Sequence, residues 1–498
     1  MGIKRYTAYK DNTITNAYKA NLETRATGSN MGLADSMEIF SIYAQANSSS
    51  LEAARVLVQF PVSSSDPGTT ILSDRTAGKI PASGSVGFYL KLANVVSTTT
   101  VPRDFTLVVS PVSQSWEEGY GVDLSNYSDE TYGGTGSNWI NAEAHTTWKD
   151  IVGTSIEGGS YLTASQYSAV NYKQTFRIGI EDLEVDITKL VEKWITGTAG
   201  SGYENYGLGV FLTCSQEMCQ SGDGSRSYYS KFFSARGSEY FFSRPIIEAR
   251  WDNTRKDDRG KFFVSSSVLS GADNLMTLYL YNYYNGQPTN LNEIGTGPVY
   301  VRNYISASTG LEISAAPDNP ITGGWVETGI YTASFALRTT EEVVFDRWSN
   351  AGETICYYTG SYSPKTFKPS QIFYIPKYVT SIVNLKSEYC RDDNNRFRVF
   401  TREKNWDDTI YTRAAAPVQL KVVTDSYYKI FRVVDSKTVI DFGTDSYDST
   451  RLSYDQSGSY FDLDISLLES GYEYGIKFSY FLNQIYEEQS ETFTFRVE

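Results

Sequence analysis

Histidine is nearly absent from this chain: one residue in 498, His145. Cysteine (4) and methionine (5) are almost as rare. A zinc site built without a set of His and Cys would need carboxylates that no spacing here supplies. The chain has no run of about 18 apolar residues, so no membrane-spanning helix is expected. It has no Walker loop and no dinucleotide glycine motif. Basic residues are outnumbered, 44 against 58, for a net charge of −14, which repels phosphate backbones and argues against nucleic acid as a partner. The start, Met1-Gly2-Ile3-Lys4-Arg5-Tyr6, has no apolar stretch behind its basic pair and reads as no secretory signal. It opens like a myristoylation pattern, but Tyr6 stands where Ser or Thr is needed. Cys214 and Cys219 flank a turn, whereas Cys356 and Cys390 stand far apart. A disulfide is open to the first pair outside a cell, but without a signal free buried thiols are the expectation.

What is abundant is aromatic. Phe, Trp and Tyr make up 14% of the chain, with 39 Tyr. Tyr suits strands, and its hydroxyl tolerates a partly wet surface. The expected class is therefore all-β, a tandem of β-sandwich domains of jelly-roll or immunoglobulin-like type. At this length about three are expected.

The most informative stretch runs from Asp186 to Trp251. Asp186 is placed to cap a helix. Ile187, Leu190, Val191 and Trp194 follow at i, i+3, i+4 and i+7, one apolar face and a predicted part of the core. This is the single short helix expected in the first domain. Strands are expected at 205–212, 231–236 and 245–251. Upstream, 11–18, 37–43, 54–61, 87–92 and 105–112 read as strands, with Val56, Val58 and Phe60 alternating toward one buried face. Residues 119–165 are rich in Gly, Ser, Asn and Tyr and read as a long surface loop holding His145.

The order of these pieces resembles the DNRLRE-type β-sandwich domain. The matching segments are Asp11-Asn12-Thr13-Ile14, the R-x-L-x-x-F strand Arg55 to Phe60, and Ser115-Trp116-Glu117-Glu118-Gly119. The helix 185–194, Asn205-Tyr206-Gly207-Leu208, Phe233-Ser234-Ala235-Arg236 and Arg244-Pro245-Ile246-Ile247-Glu248 complete them. The resemblance spans roughly residues 5–252, with inserts near 119–170 and 213–230 that depart from the compact form. It implies no catalytic residues. Some relatives are associated with polysaccharide binding, others with cell-surface or phage structural proteins.

The charged run 252–260 reads as a domain boundary. Strands in 275–284, 299–301, 329–336, 341–348 and 354–360 suggest an immunoglobulin-like domain over 253–368, with Asn285-Gly286 turning a hairpin. Residues 365–370 read as a linker. A last sandwich is expected over 369–498, with a short helical turn at 466–469. Its stretch Tyr460 to Phe478 resembles the C-terminal part of structural proteins in large tailed bacteriophages.

Candidate sites are few. Glu117 and Glu118 are adjacent, so in a strand they face opposite ways and cannot flank one bond. Asp392-Asp393-Asn394-Asn395 and Gly222-Asp223-Gly224 lack the calcium-loop pattern and read as solvated turns. No catalytic, cofactor or metal residue is assigned. Tyr120, Tyr127, Tyr132, Trp139 and Trp148 in the long loop either form a contact surface for a glycan or pin the loop to the sandwich or to a neighbouring subunit, and the pinning role is preferred. Two readings follow. One is a non-enzymatic virion structural protein, assembled in the host cytoplasm and held in many symmetric copies by capsid, neck or tail subunits. The other is a binder of cell-surface polysaccharide.

Overall fold

The computed structural model describes residues 2–97, 100–124, 126–131, 135–162, 172–197, 202–217, 227–307, 310–366, 376–404 and 420–498. Tyr132, Cys219, Gly222-Asp223-Gly224 and the linker stretch from Phe367 to Ser370 lie outside the described residues. The chain forms two compact units: Met1–Asp252 with Asp445–Asp448, and Asn253–Thr444 with Ser449–Glu498. Both are all-β with antiparallel sheets and few helical residues. No helix among the described residues is long and apolar enough to cross a membrane.

The first unit begins with β1 (Gly2–Thr7), β2 (Lys10–Thr15), β3 (Ser36–Tyr43), β4 (Leu51–Gln59), α1 (Ile71–Thr76), β5 (Gly87–Leu92) and β6 (Phe105–Pro111). It continues with β7 (Asn141–Glu143), β8 (Thr146–Thr147), β9 (Tyr172–Phe176), β10 (Leu183–Asp186) and α2 (Thr188–Thr196). It closes with β11 (Leu208–Leu212), α3 (Cys214–Glu217), β12 (Ser227–Ser234) and β13 (Ile246–Trp251). One sheet has the order β1-β13-β5-β10. The other has the order β12-β3-β4-β11-β6-β9, with β2 also paired to β4. β1 and β13 pair along their full length, from Gly2 opposite Trp251 to Thr7 opposite Ile246.

The main core takes alternate residues of both sheets, among them Val56, Val58, Phe88, Leu90, Phe105, Leu107, Val210 and Phe233. α2 adds Leu190, Val191 and Trp194, and Ile187 just before it is also buried. The helix starts at Thr188, one residue later than its apolar pattern suggests. Asp186 ends β10 and its carboxylate accepts from the Thr188 N–H at 2.8 Å. The expectation of a single helix is corrected: α1 and the one-turn α3 join it. Thr70 and Ser73 exchange side-chain and backbone hydrogen bonds at the start of α1, a capping box. Arg75 of α1 reaches Glu192 of α2 through two bonds of 2.6 and 2.7 Å.

A second correction concerns β4. Its Val56 and Val58 face the main core, but Ala53 and Leu57 on the other side are equally buried, in a second cluster. Both faces of β4 are covered, because the segment after β6 lies over the outer face of the larger sheet.

In the second unit, strands run in the order Met276–Tyr281, Ile330–Leu337, Ile321–Glu327, Val299–Tyr304, Val344–Ser349 and Cys356–Tyr362. Ile321–Glu327 pairs with the Val299 strand through residues 321–323 and with the Ile330 strand from Gly324 on. It thereby joins the two layers as a corner strand. The hairpin Tyr283–Tyr284 to Gln287–Pro288 turns at Asn285 and Gly286, both at positive φ. Later strands form a four-stranded sheet (Tyr378–Ile382, Asn394–Glu403, Gly458–Asp464, Ser453–Asp455). A six-stranded sheet lies with it, built mainly on Ser426–Arg432, Glu473–Leu482 and Phe493–Val497. Phe461 stacks between Phe397 and Tyr428, at 5.1 and 4.3 Å.

The charged run 252–260 is structured. Within this unit Asp257 N–H donates to Tyr454 O, Tyr454 N–H donates to Arg255 O, and the Tyr454 hydroxyl donates to Asp258. Arg259 grips the fully buried Asp346 through two bonds of 2.7 and 2.6 Å, and the Trp348 indole N–H donates to the same carboxylate.

Candidate functional site

The covering segment of the first unit, 113–162, holds most of the predicted contact residues. It is not a free loop. Trp116, Trp139, Ala142 and Trp148 pack with Ile14, Ala53, Leu57 and Val112 in one buried cluster. The Trp116 and Trp148 indole N–H groups donate to Tyr206 O and Asn138 O, each at 2.8 Å. That satisfies the one polar atom such a ring carries inward.

The polar anchors are as specific. Asn30 is buried and uses both ends of its amide. Its Nδ2 donates to Glu118 O at 2.8 Å and to Ser137 O at 2.9 Å, and its Oδ1 accepts from Gly32 and Gly121 N–H. Gly119 and Gly136 approach the Asn30 side chain so closely that a Cβ on either would overlap it, and both have positive φ. Arg236 holds the Glu118 carboxylate through Nε at 2.5 Å and Nη2 at 2.6 Å. Glu118 also accepts from the Asp11 N–H, and Asp11 accepts from the Arg236 N–H. Burial pushes the Asp11 carboxyl up to about 7, against the pull of Arg236. Burial likewise pushes Glu38 up to about 7, opposed by the hydrogen bond it accepts from Tyr127 at 2.7 Å. On the flank, Arg55 pairs with Glu217 through two bonds of 2.7 Å and donates to Gly158 O. The Trp139 ring lies 5.2 Å from that guanidinium.

Of the two roles, Tyr127, Trp139 and Trp148 take the pinning one, and a glycan platform built on them is ruled out. Trp148 is fully buried, Trp139 is 6% exposed, and the Tyr127 hydroxyl is spent on Glu38. They anchor the segment from within, because an irregular backbone over a sheet needs large side chains to fill the gap beneath it. Tyr120 alone of the described four is open, at 72%. It borders a depression of about 320 Å³ lined by Asn30, Gly121, Ser128, Asp129, Glu130 and Thr135.

The two adjacent carboxylates of this surface are both engaged. Glu118 is consumed by Arg236, and Glu117 accepts from Gly136 N–H. His145 sits exposed at positive φ in the turn between β7 and β8. Among the described residues, no group of three or more His, Cys, Asp or Glu converges as a metal site would require. Asp392 and Asp393 lie in a turn closed by Asp393 N–H on Cys390 O. The thiol expectation is corrected as well: Cys214, Cys356 and Cys390 are free but exposed, on a loop-end turn, on a sheet-edge strand and beside the chain end.

No family model matches this chain, and no curated protein matches it. Among solved structures, it is similar to the N-terminal Ig1-2 module of the Drosophila receptor protein tyrosine phosphatase DLAR. The match is 9% identical and covers 45% of this chain and 91% of that one, with a TM-score of 0.14. A likeness that slight carries no argument, and the architecture rests on the strand pairings themselves.

Proposed function

We propose that this protein is a non-enzymatic structural component of a tailed-bacteriophage virion, decorating or stabilising head, neck or tail through multi-copy protein–protein contacts. The observation that carries this reading is how its buried ionisable groups are used. Glu118, Glu217 and Asp346 each hold a guanidinium that fixes one segment to another. Glu248 is ringed by Arg5, Lys91 and Arg250. Their charge goes into fixing sandwich units rather than into a cleft. The DNRLRE-like order of the first unit and the phage-like stretch 460–478 point the same way. The test is mass spectrometry of purified particles from the source. Many copies per particle, in fixed ratio to the capsid or tail-tube subunit, are expected. Absence from particles overturns the reading.

One observation favours a second reading, a binder of cell-surface glycan. Tyr120 offers an open ring beside the carboxylates of Asp129 and Glu130. An aromatic face and hydrogen-bond acceptors are what a sugar ring and its hydroxyls need. Glycan-array binding that disappears in Tyr120→Ala supports it, and an unchanged or blank array removes it.

A further inference from the structure

Lys231 is a lysine pointed into a core. On β12 it shares the inner face with Phe233 two residues on, and it is 2% exposed. Its Nζ lies 4.9 Å from the Phe176 ring centroid and 5.2 Å from that of Phe233. Among the described residues no carboxylate oxygen bonds it. It donates instead to three neutral acceptors: Asn94 Oδ1 at 2.6 Å, Gly179 O at 2.9 Å and Glu181 O at 2.7 Å. Asn94 follows β5 and bridges to Phe233, flanked by the bonds Ser234 N–H to Ala93 O and Val95 N–H to Phe232 O. Its own N–H is held by Asp182 at 2.7 Å. An amine on β12 and a carboxamide on the segment that leaves β5 and pairs with β12 are thus fixed in contact, walled by two aromatic rings.

We propose that Lys231 and Asn94 condense into an intramolecular amide bond that covalently ties β12 to the segment leaving β5. In the step, the neutral Nζ bonds to Asn94 Cγ and the Cγ–Nδ2 bond breaks. One Nζ proton passes to the departing Nδ2, which leaves as ammonia, and the other stays on the new amide nitrogen. No oxidant, reductant or co-reactant enters. Three further features fit this chemistry. Burial pulls the Lys231 amine down to about 8, against the charges of Glu181 and Asp182, so a neutral fraction is present near neutral pH. The Glu181 Oε2 is buried with no hydrogen-bond partner among the described residues, on the loop that carries two of the Lys231 acceptors. A void of about 30 Å³ lined by Asn94, Gly179, Lys231 and Pro102 has room for one molecule the size of water or ammonia. The Nζ–Oδ1 hydrogen bond holds the two groups side by side, so the condensation needs no encounter between separate molecules.

The test is intact-mass spectrometry of the purified, denatured full chain, followed by peptide mapping. The expected result is a mass lower than the sequence by one ammonia and a branched peptide joining the Lys231 and Asn94 segments. Lys231→Arg and Asn94→Ala should each restore the sequence mass. A wild-type mass equal to the sequence, after prolonged incubation at mildly alkaline pH, overturns the proposal. So does an ammonia loss that survives in Lys231→Arg, which would assign it to cyclisation at Asn285-Gly286. Mapping the wild type alone decides the matter if a variant fails to fold.

Discussion

Trp148 has no exposed surface, yet it sits in a stretch whose composition is that of a loop. A ring of that size, buried and hydrogen-bonded, holds the covering segment by packing. Trp148→Ala is expected to cost about 3–5 kcal/mol of first-unit stability, read as a lowered urea midpoint. Tyr120→Ala should leave the midpoint unchanged, because its ring lies in solvent. The carboxyls of Asp11 and Glu38 carry a pH dependence. Each is raised to about 7, above its unfolded value, so each favours folding fully below that value. The contribution is lost as pH rises through 7. Glu248 works in the opposite sense: burial would raise it, but Arg5, Lys91 and Arg250 outweigh burial and hold it well below the usual range. Its contribution is present above the unfolded value and lost in acid. Urea midpoints are therefore expected to decline from about pH 5 to about pH 8, with a shallower decline in Asp11→Asn and in Glu38→Gln. A midpoint that climbs over that window would refute this assignment.

Among the elements, legibility followed periodicity. β4 showed itself by the alternation of Val56, Val58 and Phe60, β3, β5 and β13 by their apolar and aromatic runs, and α2 by its i, i+3, i+4, i+7 face. α1 escaped because six residues with Ile71 as the one buried apolar side chain make no stripe. Its signal was the Thr70–Ser73 capping pair. The covering segment escaped for a deeper reason. Its backbone repeats nothing, so no period could reveal that Trp139 and Trp148 point inward. Lys231 was readable in hindsight: a Lys two residues before a core Phe in a strand must share its face. At this scale Asn30 decides whether the segment stays down. Asn30→Ala strands the Gly121 N–H and the Glu118 carbonyl, each lost partner costing roughly 1–3 kcal/mol if left buried, while the Ser137 carbonyl keeps Asn12 Nδ2. Faster amide exchange at Gly121 and earlier proteolysis within 117–131 are expected, with the sheets still protected. Unchanged exchange there would show that the tryptophans alone suffice.

Taken as a whole molecule, each unit owns its buried charge. Arg259 and Asp346 belong to the second, and removing one leaves the other without its counter-charge in a closed core. Arg259→Ala is expected to cost about 3–5 kcal/mol in the second unit. Followed by hydrogen exchange, the loss should appear in strands Val299–Tyr304 and Val344–Ser349 and not in β4 or β6. Loss of protection in β4 would mean that the two units do not unfold separately.

The pairing of β1 with β13 has a mechanical meaning. The outer ends of the two strands, at Gly2 and Trp251, lie side by side in antiparallel register. Tension applied there opens the ladder like a zipper, one bond at a time, rather than shearing every bond at once. The first unit is thus a poor link in a chain under load, and a domain that can be hung from a neighbour by adjacent ends.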